Sequence, residues 1–290
     1  MRVFVTGATG FVGSAVVDDL IKAGHSVLGL TRSDAGAAAL EAKGVDAHRG
    51  SLEDLDSLKR GARAADAVIH TAFNHDFSRF AQSCEEDRGI VEAMGEALVG
   101  TDKTLIVTSG TGVVHGFATE DSEPGQHARA ATEHATAAIA SRGVRAMIVR
   151  LPQVHGDGDH AFVPLTINLA REKGEAVYVG DGANRWPAVY RFDAAQVYRL
   201  ALEKGRSFRY HAVAEEGVPF RAIAEITGRR LGVPVVSKTK EEAAAHFGWF
   251  LHFAAADMRA SSAKTRAELG WNPTGPMLIP DIDRPAYFQA

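Results

Sequence analysis

The chain has 290 residues, 46% of them hydrophobic, and a formal net charge of −4 from 36 Asp and Glu against 32 Lys and Arg. No long run of one sign is present, which argues against a nucleic-acid backbone as partner, and the single cysteine, Cys84, excludes an intrachain disulfide. No segment has the run of about 18 apolar residues that a membrane span needs, and MRVFVTGATG lacks the form of a secretory leader, so a soluble, cytoplasmic protein with a small-molecule partner is expected.

In chain order, RVFVTG reads as a strand and SAVVDDLIKAG as a helix stopped at Gly24. HSVLGLTRS is a strand, AAALEAKG helical, VDAHRG short and extended, and LEDLDSLKRGA a helix. DAVIHTA, KTLIVTSG and VRAMIVRLP read as further strands, with GIVEAMGEALVG and the alanine-rich HARAATEHATAAIASRG as the helices between them. This alternation predicts βαβ units and a parallel sheet covered on both faces, with strands 3–6, 26–30, 67–71, 104–108 and 144–150 at its centre.

The rhythm changes after Pro152. HAFVPLTINLAREKG reads as a helix, AVYVGDGANRW as strand and turn, and DAAQVYRLALEKG as a helix returning to the first layer. RYHAVAEEG is a strand, and PFRAIAEITGRRLG is a helix with proline near its start and Gly232 at its end. Short helices and PTGP turns follow. Residues 156–290 are therefore expected to form a smaller annex at the ligand edge of a unit built from 1–155, with 188–205 returning to that unit.

TGATGFVG at 6–13 sets Gly7, Gly10 and Gly13 between a strand and a helix. Gly7 permits a tight turn, Gly10 a close approach by a pyrophosphate, and Gly13 close packing of helix on sheet. The helix is expected to begin near Phe11 with its N–H groups facing phosphate, so the turn predicts a dinucleotide site. The second strand ends in Arg32 and Ser33, ahead of Asp34. A guanidinium there matches a 2′-phosphate, which favours NADP(H) over NAD(H). The alternative is an arginine stacked on adenine in an enzyme that uses either cofactor. Ser51 in GSLED either lies near adenine or caps the next helix. The small residues Thr71 and Ala72 would let a cofactor cross close to the backbone.

These features together resemble the extended or atypical branch of the short-chain dehydrogenase/reductase family, the NAD-dependent epimerase/dehydratase group. The resemblance rests on TGATGFVG at 6–13, GSLED at 50–54, AVIHTA at 67–72 and LIVTSG at 105–110, then on VRAMIVRLPQVHG at 144–156, AVYRFDAAQVYRLALEKG at 188–205 and AELGWNPT at 267–274. It implies an α/β fold, a Rossmann doubly wound parallel sheet with a smaller C-terminal substrate-binding region. It places Gly7, Gly10, Phe11 and Val12 at the pyrophosphate, Arg32 at the cofactor-selecting position, and Leu52 beside adenine. Thr71, Ala72 and Phe73 would line the cofactor's middle, Pro152 and Val154 the nicotinamide, and Ser109 would stand where the family's catalytic hydroxyl follows the fifth strand.

The family's Tyr-x-x-x-Lys pair is missing: the five tyrosines are at 178, 190, 198, 210 and 287. Matching the family's downstream glutamate to Glu133 puts Arg129 at the lysine and Gly125 at the tyrosine. Arg129 can hold a ribose but cannot readily exchange protons. His127, His155 and His115 are candidate proton carriers, with His155 ahead of His127 by position; each also has an ordinary reading as an exposed or loop-bonded histidine. His155, Asp157, Asp159 and His160 have metal-ligand chemistry, but without a cysteine or an H-E-x-x-H nearby no metal is expected. Trp186 and Trp249 read as pocket or packing aromatics, Asp193 as a helix cap, Trp271 as the anchor of a terminal turn, and Glu120 with Asp121 as capping or cavity-facing acids. The function expected is an NADPH-preferring oxidoreductase acting on a small or medium carbonyl or alcohol, with Ser109 and Arg129 at its centre. A non-catalytic dinucleotide sensor and an NAD-dependent sugar epimerase/dehydratase are the alternatives, and monomer and homodimer both remain open.

Overall fold

Val3, Phe4 and Val5 have no solvent exposure, because the strand that carries them lies in the middle of a sheet covered on both sides. A computed structural model describes residues 1–289. The first half runs β1 (Arg2–Thr6), α1 (Phe11–Lys22), β2 (Ser26–Thr31), α2 (Asp34–Glu41), β3 (Asp46–Arg49), α3 (Leu55–Arg63), β4 (Ala67–His70), α4 (Phe80–Glu96), β5 (Thr104–Gly110), α5 (Ala130–Ser141) and β6 (Arg145–Leu151). The second runs β7 (Gln153–His155), α6 (Phe162–Lys173), β8 (Ala176–Val179), β9 (Arg185–Tyr190), α7 (Arg191–Lys204), β10 (Arg209–His211), β11 (Glu215–Pro219), α8 (Phe220–Leu231), β12 (Val235–Lys238), α9 (Lys240–Phe247), α10 (Leu251–Ala254), α11 (Ala263–Leu269) and α12 (Leu278–Ile282).

Seven strands form one sheet in the order β10-β6-β5-β4-β1-β2-β3, and every pairing in it is parallel. Parallel neighbours need crossovers, so helices must cover both faces. Val3 and Val5 pack on one face with Val16 and Leu20 of α1 and with Val197 and Tyr198 of α7. Phe4 points to the other face, with Leu58 of α3, Val91 and Met94 of α4, and Ile139 of α5. The chain leaves β1 for β2 on one side and comes back to β4 on the other. That reversal opens a crevice at the carboxyl ends of β1 and β4, the place where sheets of this kind take ligands.

The second half adds a three-stranded sheet, β11-β9-β7, and a two-stranded one, β12-β8. Trp186, Phe220, Phe247 and Phe250 form the centre of its own core, so Trp186 is a packing residue. Two of its elements return to the first unit: α7 packs there, and β10 pairs with β6 as an edge strand. Asp193 is not the cap expected for α7. Tyr190 holds that position without a side-chain bond, and the Asp193 carboxylate instead accepts the N–H groups of Thr274 and Gly275. Trp271 donates from Nε1 to the Asp193 carbonyl at 3.0 Å, which anchors the terminal turn. Nor does Ser51 cap α3; Asp54 does, accepting from Ser57 N–H. Glu120 accepts from both the N–H and the hydroxyl of Thr265. Among the described residues no helix is long and apolar enough to cross a membrane.

At Gly13 a Cβ would meet the Gly7 carbonyl oxygen at 2.0 Å, whereas one at Gly24 would meet nothing within 4 Å. Gly13→Ala is therefore expected to cost about 3 kcal/mol as an overpacking lesion. Gly24→Ala should cost about 1 kcal/mol, the strain of its positive φ alone. Urea unfolding of the two variants checks the difference; equal losses would contradict it.

Candidate active site

The turn after β1 is built for an anion. Gly7 has φ 69°, and its carbonyl accepts from Gly10 N–H at 2.8 Å. Gly10 precedes α1 with no side-chain cap, so the first-turn N–H groups of Phe11, Val12 and Gly13 have no internal partner. Thr71, at the end of β4, donates its hydroxyl to the Thr6 carbonyl at 2.7 Å. A Cβ on Gly7 would meet that hydroxyl at 2.8 Å and Ala72 N at 2.9 Å. These glycines, Thr71 and Ala72 thus meet at the crevice, a cradle that Cβ atoms would fill and that suits a dinucleotide phosphate. The segment 156–161 lies across it: the His160 and Phe11 ring centroids are 5.9 Å apart, and the Arg191 guanidinium lies 5.1 Å from the Phe11 ring and donates to the Asp157 carbonyl.

At the adenosine end, Ser33 caps α2 through Gly36 N–H, and its carbonyl accepts from Arg49, whose guanidinium also pairs with Asp34. Arg32 is exposed. Glu53 is held below its ordinary value, chiefly by Ser51 and in part by the charge of Arg32. Leu52 is half-buried against the core.

At the ends of β4 and β5 a buried polar chain appears that the sequence reading did not contain. Thr6 Oγ1 lies 2.6 Å from His70 Nδ1, and His70 Nε2 lies 3.0 Å from Asp87 Oδ1. Asp87 Oδ2 accepts from Arg129 Nη1 at 2.5 Å and from the Thr132 hydroxyl at 2.7 Å. Arg129 Nη2 donates to the Thr108 carbonyl at 2.9 Å, and the guanidinium lies 4.0 Å from the Phe73 ring. Burial pushes the Asp87 carboxyl up, but Arg129, His70 and Thr132 outweigh it and hold the group well below the usual carboxylate range. One signal was available in the sequence: Ser83, Cys84, Asp87, Ile90, Val91 and Met94 form the buried stripe of α4, and an acid on an apolar stripe needs a partner.

Ser109, next to Thr108, is 4% exposed and its hydroxyl has no hydrogen-bond partner. It nonetheless faces Glu133 closely enough to help lower that carboxyl, whose two oxygens are engaged by Arg150. His127 precedes α5 and accepts Arg129 N–H at Nδ1, which leaves the ring hydrogen on Nε2. Burial, then His252, His115 and Arg129, push its pKa down, so the ring is neutral near pH 7. The structure therefore brings Ser109, His127 and Arg129 to one edge. A Cβ on Gly125, the residue matched to the missing tyrosine, would lie 2.7 Å from the His115 ring.

His155 is placed differently from the other candidates. It is fully buried, with Nδ1 2.8 Å from Asp281 Oδ2 and Nε2 unpartnered. Tyr287 bonds both Asp281 and the Gly156 backbone. His155 thus ties β7 to α12, beneath the segment that crosses the phosphate cradle. Val154 is buried beside it and Pro152 half-buried. Among the described residues no group of three or more His, Cys, Asp or Glu is arranged to hold a metal.

Comparison with known proteins adds four findings. The model of the NAD dependent epimerase/dehydratase family matches residues 3–213. An uncharacterized protein of Schizosaccharomyces pombe is 50% identical over 295 residues, covering 99% of this chain and all of that one. Among solved structures, a dTDP-glucose 4,6-dehydratase from Streptomyces venezuelae with NAD bound superposes with a TM-score of 0.77 at 22% identity, covering 99% of this chain and 97% of that one. A Thermus thermophilus UDP-glucose 4-epimerase, in complex with NAD, gives 0.72 at 22%, covering 96% and 95%. Both carry NAD, which overturns the NADP(H) preference inferred from Arg32. The local chemistry explains the correction: Arg32 shares its surface with the carboxylate of Glu53, and with Asp34 two residues on, so the edge is not a purely cationic seat for a 2′-phosphate.

Asp159 lies in the crossing segment with Oδ2 buried and unpartnered, and burial pushes its carboxyl up to about 6. A raised carboxyl stabilises the fold below the unfolded value of about 3.9, and that contribution is lost as pH rises through 6. Asp159→Asn is therefore expected to stabilise the protein by about 1–2 kcal/mol at pH 7.5 and not at pH 4. Denaturant midpoints at the two pH values check the sign; a stabilisation that did not change with pH would contradict it.

Proposed function

The chain belongs to the NAD-dependent epimerase/dehydratase family, and on that premise we propose that it transfers hydride between NAD and a carbon of a sugar-nucleotide substrate, oxidising the alcohol at that carbon or reducing the ketone. The observation that carries this reading is the buried, unpartnered Ser109 hydroxyl beside Arg129 at the carboxyl edge of the sheet. NAD supplies the hydride acceptor and donor when bound. Gly7, Gly10, Gly13 and the first-turn N–H groups of α1 hold its pyrophosphate, Thr71 and Ala72 let it pass close to the backbone, and Arg129 holds the ribose next to the nicotinamide. Ser109 donates a hydrogen bond to the substrate oxygen as charge gathers there. His127 donates a second hydrogen bond from Nε2; with Nδ1 taken by Arg129 N–H it does not carry the proton, which passes between the substrate oxygen and solvent water. His155 takes no part in proton transfer in this scheme and keeps the second half in place.

The sugar-nucleotide class follows the two NAD-bound relatives, whose named substrates are dTDP-glucose and UDP-glucose. A surface depression lined by Phe117, Arg185, Glu215, Glu216, Arg259 and Met277 is the candidate seat for its nucleotide. The segment from Gly110 leads there from Ser109, and Ala118 N–H bonds the Arg259 carbonyl. The Arg185 guanidinium makes no ion pair among the described residues and offers its donors to an anionic group. In this scheme residues 156–290 shape the substrate site and 1–155 hold the cofactor. Family membership counts against the non-catalytic sensor reading.

A second reading, reduction of a ketone with an apolar body, has its own observation. Phe77 stacks between Phe80 and exposed Trp249, with centroids at 5.7 and 4.8 Å, and Phe80 meets His127 at 5.8 Å. The assays separate the two. Epimerisation or dehydration of a sugar nucleotide proceeds without net cofactor consumption, whereas ketone reduction consumes NADH. NADH is expected to bind more tightly than NADPH in a fluorescence titration, and the opposite ratio would remove NAD from the scheme. With an active substrate, Ser109→Ala should lower kcat about 100-fold or more while NADH affinity changes less than about twofold. Unchanged turnover would take Ser109 out of the site.

A further inference from the structure

We infer that Asp87 and His70 are positioning residues for the cofactor's second ribose, the one that carries nicotinamide, and that they act through Arg129. The inference rests on the NAD reading above and adds two residues that no motif supplies. Thr6, His70, Asp87 and Thr132 are each 2% exposed or less, and together they form an unbroken chain. The Asp87 carboxylate accepts from His70 Nε2–H, which leaves His70 Nδ1 to accept the Thr6 hydroxyl. Thr6 immediately precedes Gly7, and its carbonyl receives the Thr71 hydroxyl. The chain therefore starts at the phosphate cradle and ends at the guanidinium.

What it does there follows from counting donors. Arg129 has five N–H groups. Nη1 bonds Asp87 and Thr132, and Nη2 bonds the Thr108 carbonyl. One hydrogen on Nη2 and the Nε–H stay available to a ligand. The Arg129 side chain is only 11% exposed, and a guanidinium cannot shed its charge to accommodate burial. A carboxylate in contact is what lets it sit there. The pair is weak evidence for stability, since apolar packing of equal volume often serves a core as well. As a device for aiming it is specific: the fork geometry fixes the plane of the guanidinium, Phe73 bounds that plane at 4.0 Å, and His70 fixes the carboxylate that sets it.

ADP and ADP-ribose separate this role from a structural one, because ADP reaches only the cradle and the adenosine end while ADP-ribose adds the second ribose. Binding of both to the wild-type protein and to Asp87→Asn, Arg129→Met and the double variant is measured by calorimetry. Asp87→Asn should weaken ADP-ribose about tenfold or more and ADP less than about twofold. Arg129→Met should show the same selectivity, and Asp87→Asn should add nothing on that background. His70→Gln leaves the carboxylate charged but loosens it, gives a smaller loss in the same direction, and decides the matter alone if Asp87→Asn does not fold. Unchanged ADP-ribose affinity, or equal losses for both ligands, overturns the positioning role while leaving the NAD reading intact. A wild-type protein that binds neither ligand overturns both.

Discussion

A Cβ at Gly13 would stand 2.0 Å from the carbonyl oxygen of Gly7, and that contact governs the ligand edge. The first turn of α1 can lie against the end of β1 only because no side chain separates them. The same closeness lets Thr71 bond the Thr6 carbonyl and brings β4 to its place beside the cradle. Once β4 is fixed, His70 faces α4 and reaches Asp87. A bulkier residue at position 13 would push the helix outward and move the bonds around the phosphate cradle with it.

A second anchor acts from the other end of the site. Glu133 and Arg150 have side chains with no exposure and are joined by two bonds of 2.7 Å; Arg209 adds a third contact at 3.2 Å. This ties α5 to β6 and β10. Burial opposes the charge on Glu133, but the arginines hold its carboxyl below its ordinary value. Arg129 lies one turn upstream, so its backbone is set by this anchor while its side chain is set by Asp87. The ion pairs around the edge thereby divide the work of placing main chain and side chain.

The architecture was legible in the sequence because its signals are local. Alternating apolar strands and helices, and glycines between Thr6 and Phe11, each concern residues close in the chain. The strand expected at 104–108 runs on to Gly110, and the long alanine-rich helix begins only at Ala130, which leaves His127 and Arg129 in the turn ahead of it. What the sequence concealed is non-local. His70 and Asp87 are 17 residues apart, Asp87 and Arg129 42, and His155 and Asp281 126. Position alone put His155 at the ligand edge; a carboxylate from the far end of the chain holds it in the interior. Arg32 misled for a related reason: its own charge was visible, but the carboxylate of Glu53 beside it was not.

The ring of His115 stands where a side chain on residue 125 would begin, its Cδ2 2.7 Å from that Cβ and its Nε2 3.1 Å. The two positions compete for one space, so a side chain at 125 displaces the His115 ring. A tyrosine introduced at 125 meets an occupied site until His115 swings outward. A design that placed a tyrosine at 125 would have to turn the exposed His115 ring outward, so the new side chain would trade one ring for another at the same spot rather than fill an empty one.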